Sequence, residues 1–426
     1  MKFKVKKSSI LTLIRKGKEV ATKSPKAGLE LGDRLSIAAT DNKLSFASTN
    51  GHVDFNCDLV ADTENALEIE SNGDIIIESI VLNKAVSAIG GSSNIDTIIG
   101  FELDDQSLSM KAEGKRKKKA TIQTLKLCRA TNIKKPKKSI LTHTFNVEDF
   151  SRAVRDVSPY ATTRGYKVRY QMICCHFLPN EIRFVCGNGN RFAVLCVPQD
   201  KPVNVDSAGL KILLPADQAR IIDSVVSDAS TVTLTFKNER ECYIETDTGI
   251  EMCLRGIPDE KYIAYENHAF RHAEAKSIVD LKISDFLEGT ELVGAMRDVE
   301  LEKEGSFLSA SFNATDNCLR LKVDEDVGHK RYRCTYECDA QYYKVDKDAD
   351  DSFDAMYAYT IMNDVARSSK RAYVRFYCIN AKGTSLADLV ELTDAKDDNG
   401  IPIVKDDGAN KSKLSFFFAA VKEEKA

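Results

Sequence analysis

Three marker segments recur along this chain in one order and at nearly one spacing, and no other feature restricts its fold so strongly. A strand of the pattern Asn-x-apolar-x-apolar occurs at Asn42–Phe46, Asn180–Phe184 and Asn317–Leu321. A strand running into a helix opens at Phe3-Lys4-Val5, at Phe145-Asn146-Val147 and at Leu281-Lys282-Ile283. A second helix is expected at Leu82–Ile89, at Pro215–Val226 and at Ala358–Val365. The Asn positions, 42, 180 and 317, give intervals of 138 and 137 residues. A period this long denotes tandem whole domains, because solenoid repeats are far shorter. The expected architecture is α+β, with two helices packed on antiparallel sheets in each of three copies, bounded at 1–140, 141–276 and 277–426. A chain of 426 residues accords with three domains, at about 100–200 residues each.

The middle copy is the most legible. Val147, Phe150, Val154 and Val157 mark one face of a helix, and Arg152, Arg155 and Asp156 lie off it. Ser158-Pro159 stops that helix. Val168-Arg169-Tyr170 follows, then a strand Glu181–Cys186 that turns through Gly187-Asn188-Gly189-Asn190 into Arg191–Leu195. Those turn residues tolerate the positive φ that a hairpin demands.

The first copy has a helix from Ser8 that carries Arg15, Lys16 and Lys18, with Lys23 and Lys26 beyond it, and strands at 35–39, 43–48 and 53–60. Its later part holds the run Lys115-Arg116-Lys117-Lys118-Lys119, and Lys134–Lys138 form a linker. A second linker is expected at 266–277. The third copy is expected to open with a helix Ser284–Val299 and a strand pair over 307–323, followed by Asp324-Glu325-Asp326. Residues 383–413 are polar and rich in Gly and Asp, which suggests a mobile insertion before a last strand Leu414–Val421. Lys and Arg number 24 against 17 Asp and Glu in 1–140, 16 against 18 in 141–276 and 21 against 29 in 277–426. The net charge of −3 thus hides a gradient from +7 through −2 to −8.

Several function classes are excluded by what the chain lacks. No apolar run reaches the length of a transmembrane helix, and Met1–Val5 has no signal-peptide core. The 12 cysteines are scattered through strand patterns without C-x-x-C pairs, as in reduced cores of a cytoplasmic protein. Cys334 and Cys338 lack a companion pair, and His268 and His272 sit in a polar linker, so no metal site is expected. There is no P-loop, no nucleophile elbow and no H-E-x-x-H helix. Gly187-Asn188-Gly189 joins two strands, with no helix N-terminus to hold phosphate. The chain reads as a non-enzyme without a cofactor.

Val168-Arg169-Tyr170, Gly189-Asn190-Arg191-Phe192-Ala193-Val194 and Ile257-Pro258-Asp259 resemble the V-R-Y, G-H-R-L-A-V and F-P-D signatures of one family. With the three copies, they make the chain similar to the bacterial DNA sliding clamps, the β subunit of the replicative DNA polymerase III. Asn190 and Phe192 depart from the signature, and Ala419-Ala420-Val421-Lys422 replaces the family's M-P-M-R terminus, as in a divergent member. The resemblance implies a head-to-tail homodimer that closes a ring around duplex DNA, sliding without sequence preference. It also implies a tether for polymerase, a clamp loader as partner, a place at the replication fork, and no membrane.

Under that resemblance, DNA contacts are expected from Lys16, Lys18, Lys23, Arg152, Arg155, Tyr166, Tyr170 and Arg367. Basic residues recur on the helices concerned, at Arg15, Arg152, Arg155, Arg220, Arg297 and Arg367. The implied partner-peptide groove comprises Met172, Gly187, Gly189, Asn190, Arg191, Phe192, Pro258, Tyr262 and Ile263, with Phe417, Ala419 and Val421. The first copy would meet the third copy of a second chain, edge strand to edge strand, and the charge gradient favours that pairing. The expected elements are Lys111–Thr124 with Lys115, Arg116, Lys117, Lys118 and Lys119, and the region after Leu321 with Asp324, Glu325 and Asp326. The lysine run could instead be a solvated hairpin tip or touch DNA. The alternative for the whole chain is a clamp-like scaffold or inhibitor that binds replication proteins without loading on DNA.

Overall fold

A computed structural model describes residues 1–22, 33–89, 96–112, 119–124, 133–162, 167–187, 191–258, 260–267, 275–295, 307–327, 330–344, 347, 352–358, 367, 372–378, 389–393 and 413–418. One succession of elements runs through it three times. The first pass is β1 (Lys2–Lys6), α1 (Lys7–Thr22), β2 (Arg34–Thr40), β3 (Lys43–Thr49), β4 (Val53–Val60), β5 (Glu68–Ser71), β6 (Gly73–Glu78), α2 (Ser79–Ala88), β7 (Ile98–Asp104), β8 (Ser107–Ala112) and β9 (Lys119–Gln123). The second is β10 (Leu141–Asn146), α3 (Val147–Val157), β11 (Met172–Phe177), β12 (Glu181–Gly187), β13 (Arg191–Pro198), β14 (Leu210–Pro215), α4 (Ala216–Val226), β15 (Thr231–Asn238), β16 (Glu241–Thr246) and β17 (Ile250–Arg255). The third is β18 (Ser277–Lys282), α5 (Ile283–Ala295), β19 (Phe307–Asn313), β20 (Cys318–Val327), β21 (Lys330–Asp339), β22 (Gln341–Lys344), β23 (Ser352–Ala358), β24 (Tyr373–Cys378), β25 (Leu389–Thr393) and β26 (Lys413–Phe418).

Each pass yields two four-stranded antiparallel sets. One set joins the opening strand to the last three: β1-β7-β8-β9, β10-β15-β16-β17 and β18-β24-β25-β26. The other holds the strands between the helices: β6-β2-β3-β4, β14-β11-β12-β13 and β23-β19-β20-β21. Short strands β5 and β22 pair with β1 and β18.

The chain forms two compact units whose limits differ from those of the three passes. The first contains Met1–Val154 and Leu213–Asp259, and the second Arg155–Ile212 and Glu260–Ala426. In the first unit β4 pairs with β17, Val53 opposite Leu254 and Cys57 opposite Ile250, which fuses two sets into one eight-stranded sheet. Helix α1 packs across β2, β3 and β4 of that sheet and also meets α2 and α4. Its approach is closest at Gly17, where an added Cβ would lie 2.5 Å from the Leu35 side chain. Ser48 Oγ donates to the Gly17 carbonyl there at 2.9 Å. Buried Lys7 ties α1 to α2, donating from Nζ to the carbonyls of Ser87 and Ile89 at the helix C-terminus, where the dipole favours a cation.

Helix α3 follows its sequence logic. The Asn146 side chain accepts the Glu148 N–H at 2.8 Å, satisfying an end donor. Glu148 and Asp149 occupy the first turn and Arg155 the last, with the charge order that suits a helix dipole. The expected stripe of Val147, Phe150, Val154 and Val157 is buried, together with Ala153, and Arg155 is exposed.

In the second unit β13 pairs with β26, Arg191 opposite Phe418 and Cys196 opposite Lys413, fusing two further sets into a nine-stranded sheet. Its core encloses a two-pronged ion pair between β18 and β24. Arg375 Nε and Nη2 lie 2.9 and 3.2 Å from the Asp280 oxygens, and neither residue is more than 1% exposed.

Several expectations change on the structure. Val168–Gln171 is a turn of 3-10 helix, and the next six residues, Met172–Phe177, form a strand buried along its whole length. Residues 383–413 are not one loop: Leu389–Thr393 is a strand between β24 and β26. Its sequence Leu-Val-Glu-Leu-Thr has the β-branched and apolar character that fits a sheet interior. The third copy's second helix, its first helix beyond Ala295, His268, His272 and the Gly187–Asn190 turn beyond Gly187 lie outside the described residues, and Ala358 ends a strand.

Candidate functional site

The helical basic residues fall into three physical situations. Arg15 on α1, Arg155 at the end of α3 and Arg220 on α4 are exposed, and Lys18 is partly so. Arg152 is half-buried, and its Nε and Nη2 are enclosed with no hydrogen-bond acceptor among the described residues. Arg367 is exposed and forms an ion pair with Glu291 of α5 at 3.0 Å. Lys16 differs from the expectation. It is only 8% exposed, and its Nζ is held by Asp228 just after α4. That ammonium joins two helices, so its charge is not presented to a ligand. Tyr170 is half-buried beneath Arg169, whose Cζ lies 5.6 Å from the ring centroid. Lys23, Tyr166 and Arg297 lie outside the described residues.

The expected groove residues of the second unit converge through strand register. Gly187 is opposite Phe192, Phe192 is opposite Phe417, and Phe417 is opposite Leu389. Cys186 Sγ contacts the Met172 carbonyl at 3.5 Å, which puts Met172 beside the same end of β12. The residues therefore form a row across β11, β12, β13 and β26, although Met172 and Phe417 are 245 positions apart in the chain. Met172 and Gly187 are buried. Tyr262 and Ile263 belong to an irregular strap, residues 260–267, and Tyr262 Oη donates to the Val185 carbonyl of β12 at 3.3 Å. Burial raises the Tyr262 phenol well above its usual range, so this donor keeps its proton. Pro258 follows β17 in the first unit. Gly189, Asn190, Ala419 and Val421 lie outside the described residues, and Arg191 begins β13.

Sequence reasoning missed what holds the strap. His176, in the buried strand β11, bonds Tyr265 Oη through Nδ1 at 2.7 Å and the Ala208 carbonyl through Nε2 at 3.1 Å. Glu266 is paired with Lys211, and Glu260 accepts the Arg169 N–H at 3.1 Å. The only sequence signal was a histidine within an otherwise apolar run, Met-Ile-Cys-Cys-His-Phe. Such a residue must find polar partners when buried.

The expected acidic segment lies on a strand next to the outermost one of its sheet. Asp324, Glu325 and Asp326 are part of β20, which pairs along its length with β21, Asp324 opposite Arg333 and Asp326 opposite Arg331. Asp324 accepts from Arg333 Nε at 2.9 Å and from Lys322 at 3.2 Å, which holds its carboxyl below the usual range. Its charge is thus met within the chain. The outermost strands of that sheet are β21 and β23. On the other expected edge, β9 is the outermost strand of its sheet and Lys119 opens it, whereas Lys115–Lys118 lie outside the described residues.

By sequence, no protein-family model and no curated protein matches the chain. By structure, the matches are extensive. The DNA polymerase III subunit β of Pseudomonas aeruginosa superposes with a TM-score of 0.77 at 13% identity, over 99% of this chain and 100% of that one. The DNA polymerase sliding clamp of Bacillus subtilis gives 0.77 at 11% identity over 99% of each chain. The DNA polymerase III β subunit of Thermotoga maritima gives 0.76 at 14% identity, again over 99% of each. The chain therefore has, along essentially its full length and at very low sequence identity, the fold of the DNA polymerase III β sliding clamps.

Proposed function

We propose that this protein is a processivity clamp: a non-enzymatic head-to-tail homodimer that encircles duplex DNA and tethers a polymerase through the groove beside β12, β13 and β26. The observation that carries the reading is the pattern of fused and unfused sheets. Twice, the between-helix set of one pass is joined to the opening set of the next, through β4–β17 and β13–β26. One set of each kind is left over, with β9 and β21 outermost. Applying the same junction once more pairs β21 of one chain with β9 of another. Two such junctions close a ring, and each covers a strand edge that would otherwise invite aggregation.

The helices support the same closure. At the first junction Lys16 bonds Asp228, and Asn50 bonds Gln218 of α4 at 3.0 Å. Lys16 is the tenth residue of α1 and Gln218 the third of α4; the corresponding residues of α5 and α2 are Leu292 and Val81. Both are exposed, at 44% and 36%. Solvent-facing apolar residues at these two equivalent positions suit a junction made between chains. Strand pairing and apolar contact then supply the stability, with the charge gradient setting the partner, since exposed ion pairs contribute only about 0–1 kcal/mol each.

The three-domain division at 1–140, 141–276 and 277–426 belongs to this reading, as do a clamp loader as partner and a cytoplasmic location. DNA would be held by Arg15, Lys18, Arg152, Arg155, Arg220 and Arg367 on phosphates, without base reading. Titration of a Leu-Phe-containing peptide tests the groove: Met172→Asp should weaken binding by tenfold or more, and unchanged affinity would place the site elsewhere. The scaffold alternative predicts peptide binding without retention on DNA.

A further inference from the structure

The groove's outer wall is built on a segment that joins no sheet and carries a single turn of 3-10 helix, Tyr265–Asn267, so its position depends on side-chain anchors. The strap over residues 260–267 carries Tyr262 and Ile263, and just before its 3-10 turn the Tyr265 N–H bonds the Ile263 carbonyl at 2.8 Å. Its deepest anchor is Tyr265, which is fully buried. The Tyr265 oxygen lies within hydrogen-bond reach of both Arg183 and His176. The proton arrangement follows from what each partner can do. The Ala208 carbonyl can only accept, so Nε2 of His176 carries a hydrogen. The Arg183 guanidinium can only donate, so the Tyr265 oxygen accepts from it and sends its own hydrogen to Nδ1 of His176. Every donor and acceptor is matched when the imidazole is neutral.

We propose that this Arg183–Tyr265–His176 chain is the positioning device of the partner groove. With His176 neutral it fixes the strap that presents Tyr262 and Ile263, and a second proton on His176 releases that strap. The inference rests on the groove reading given above. A proton on Nδ1 leaves two hydrogens facing each other across 2.7 Å. Tyr265 relieves the conflict only by turning its hydroxyl hydrogen away from Nδ1, and Arg183, its other neighbour, offers that hydrogen no acceptor. The imidazolium would sit among cations, with Lys211 beside it and Arg183 beyond Tyr265. Glu266 Oε1, 3.6 Å from Nδ1, opposes that repulsion, but it is engaged by Lys211. Glu181 pairs with Arg183 and partly offsets its charge.

The surroundings leave little room for His176 to swing away. Gly209 has φ +72°, and a Cβ there would lie 2.8 Å from His176 Nε2 and 2.4 Å from the Phe177 carbonyl. Burial, with Lys211 and Arg183 nearby, lowers the imidazole pKa from its usual value. The neutral form is therefore the folded state's own, and its contribution is complete above about pH 6.5. It is lost as pH falls from there through the lowered folded value.

The test uses the full-length protein and a Leu-Phe-containing peptide free of titratable side chains. Peptide affinity and hydrogen–deuterium exchange over 260–267 are measured at pH 7.5 and 5.5, the exchange without peptide. In the wild type, strap exchange, corrected for intrinsic rate, should rise at pH 5.5 by up to about tenfold, the most that one pH unit below about 6.5 allows, and affinity should fall by a smaller factor. His176→Gln should show neither pH step. Tyr265→Phe, which keeps the shape and removes the hydroxyl, should bind more weakly at both pH values. A rise in strap exchange with no peptide binding at either pH supports the positioning device and defeats the groove reading. Strap exchange that does not change with pH in the wild type, or that changes equally in His176→Gln, overturns the proposal.

Discussion

Single residues in this chain divide by whether their charge is spent inside the molecule. Lys16 and Arg15 are sequence neighbours on one helix, yet Lys16 is buried on Asp228 and Arg15 faces solvent. Duplex association should therefore respond to one and not the other. Arg15→Ala should reduce the slope of log affinity against log salt by about one, measured by titrating duplex at several salt concentrations. Lys16→Met should leave that slope as in the wild type. The Asp280–Arg375 pair is the opposite extreme, a salt bridge with no access to water. Replacing one partner strands the other's charge in a dry core. Asp280→Ala is expected to lower unfolding stability by about 3–5 kcal/mol, readable by urea denaturation, whereas a paired replacement by apolar residues of similar size should cost much less.

At the scale of elements, legibility followed the type of signal each element carries. Helix α3 was readable because a spaced apolar stripe runs up to the stop at Ser158-Pro159; the structure adds a capping Asn146 and ordered end charges. Asn146→Ala should accordingly cost about 1 kcal/mol, seen as a lowered melting temperature with the fold retained. Strand β11 lacked alternation because both its faces are buried, so Met172–Phe177 has no period of two to detect. Strand β25 was hidden by the polar residues around it. The groove row was accessible only through family resemblance, since nothing local in Met172 or Phe417 announces that β13 will bring their strands into one sheet. The strap anchors were illegible for the same reason: His176 and Tyr265 meet across 89 positions. Pairing of Asp324 with Arg333 was closer at hand, nine residues away across a hairpin. Recognising β20 and β21 as one hairpin would have shown that Asp324 is answered within its own chain.

For the whole molecule, the internal junctions state what the closing junction should look like. If β21 and β9 pair between chains, the protein in solution should have the mass of two 47.3 kDa chains by light scattering. Leu292→Asp with Val81→Asp should give monomers that keep the melting behaviour of the individual units. Substituting Asp324 alone should leave the dimer intact, because its partners are Arg333 and Lys322 of its own chain. The central claim is topological, that the closed dimer surrounds DNA and is not merely stuck to it. It is tested most directly by placing the protein, with the loader of its own replication system, on nicked circular duplex and isolating the complex by gel filtration before and after a single restriction cut. The account predicts that protein co-elutes with the circle at moderate salt and is lost once the circle is made linear. Equal retention on circular and linear DNA, or no retention on either, would contradict it.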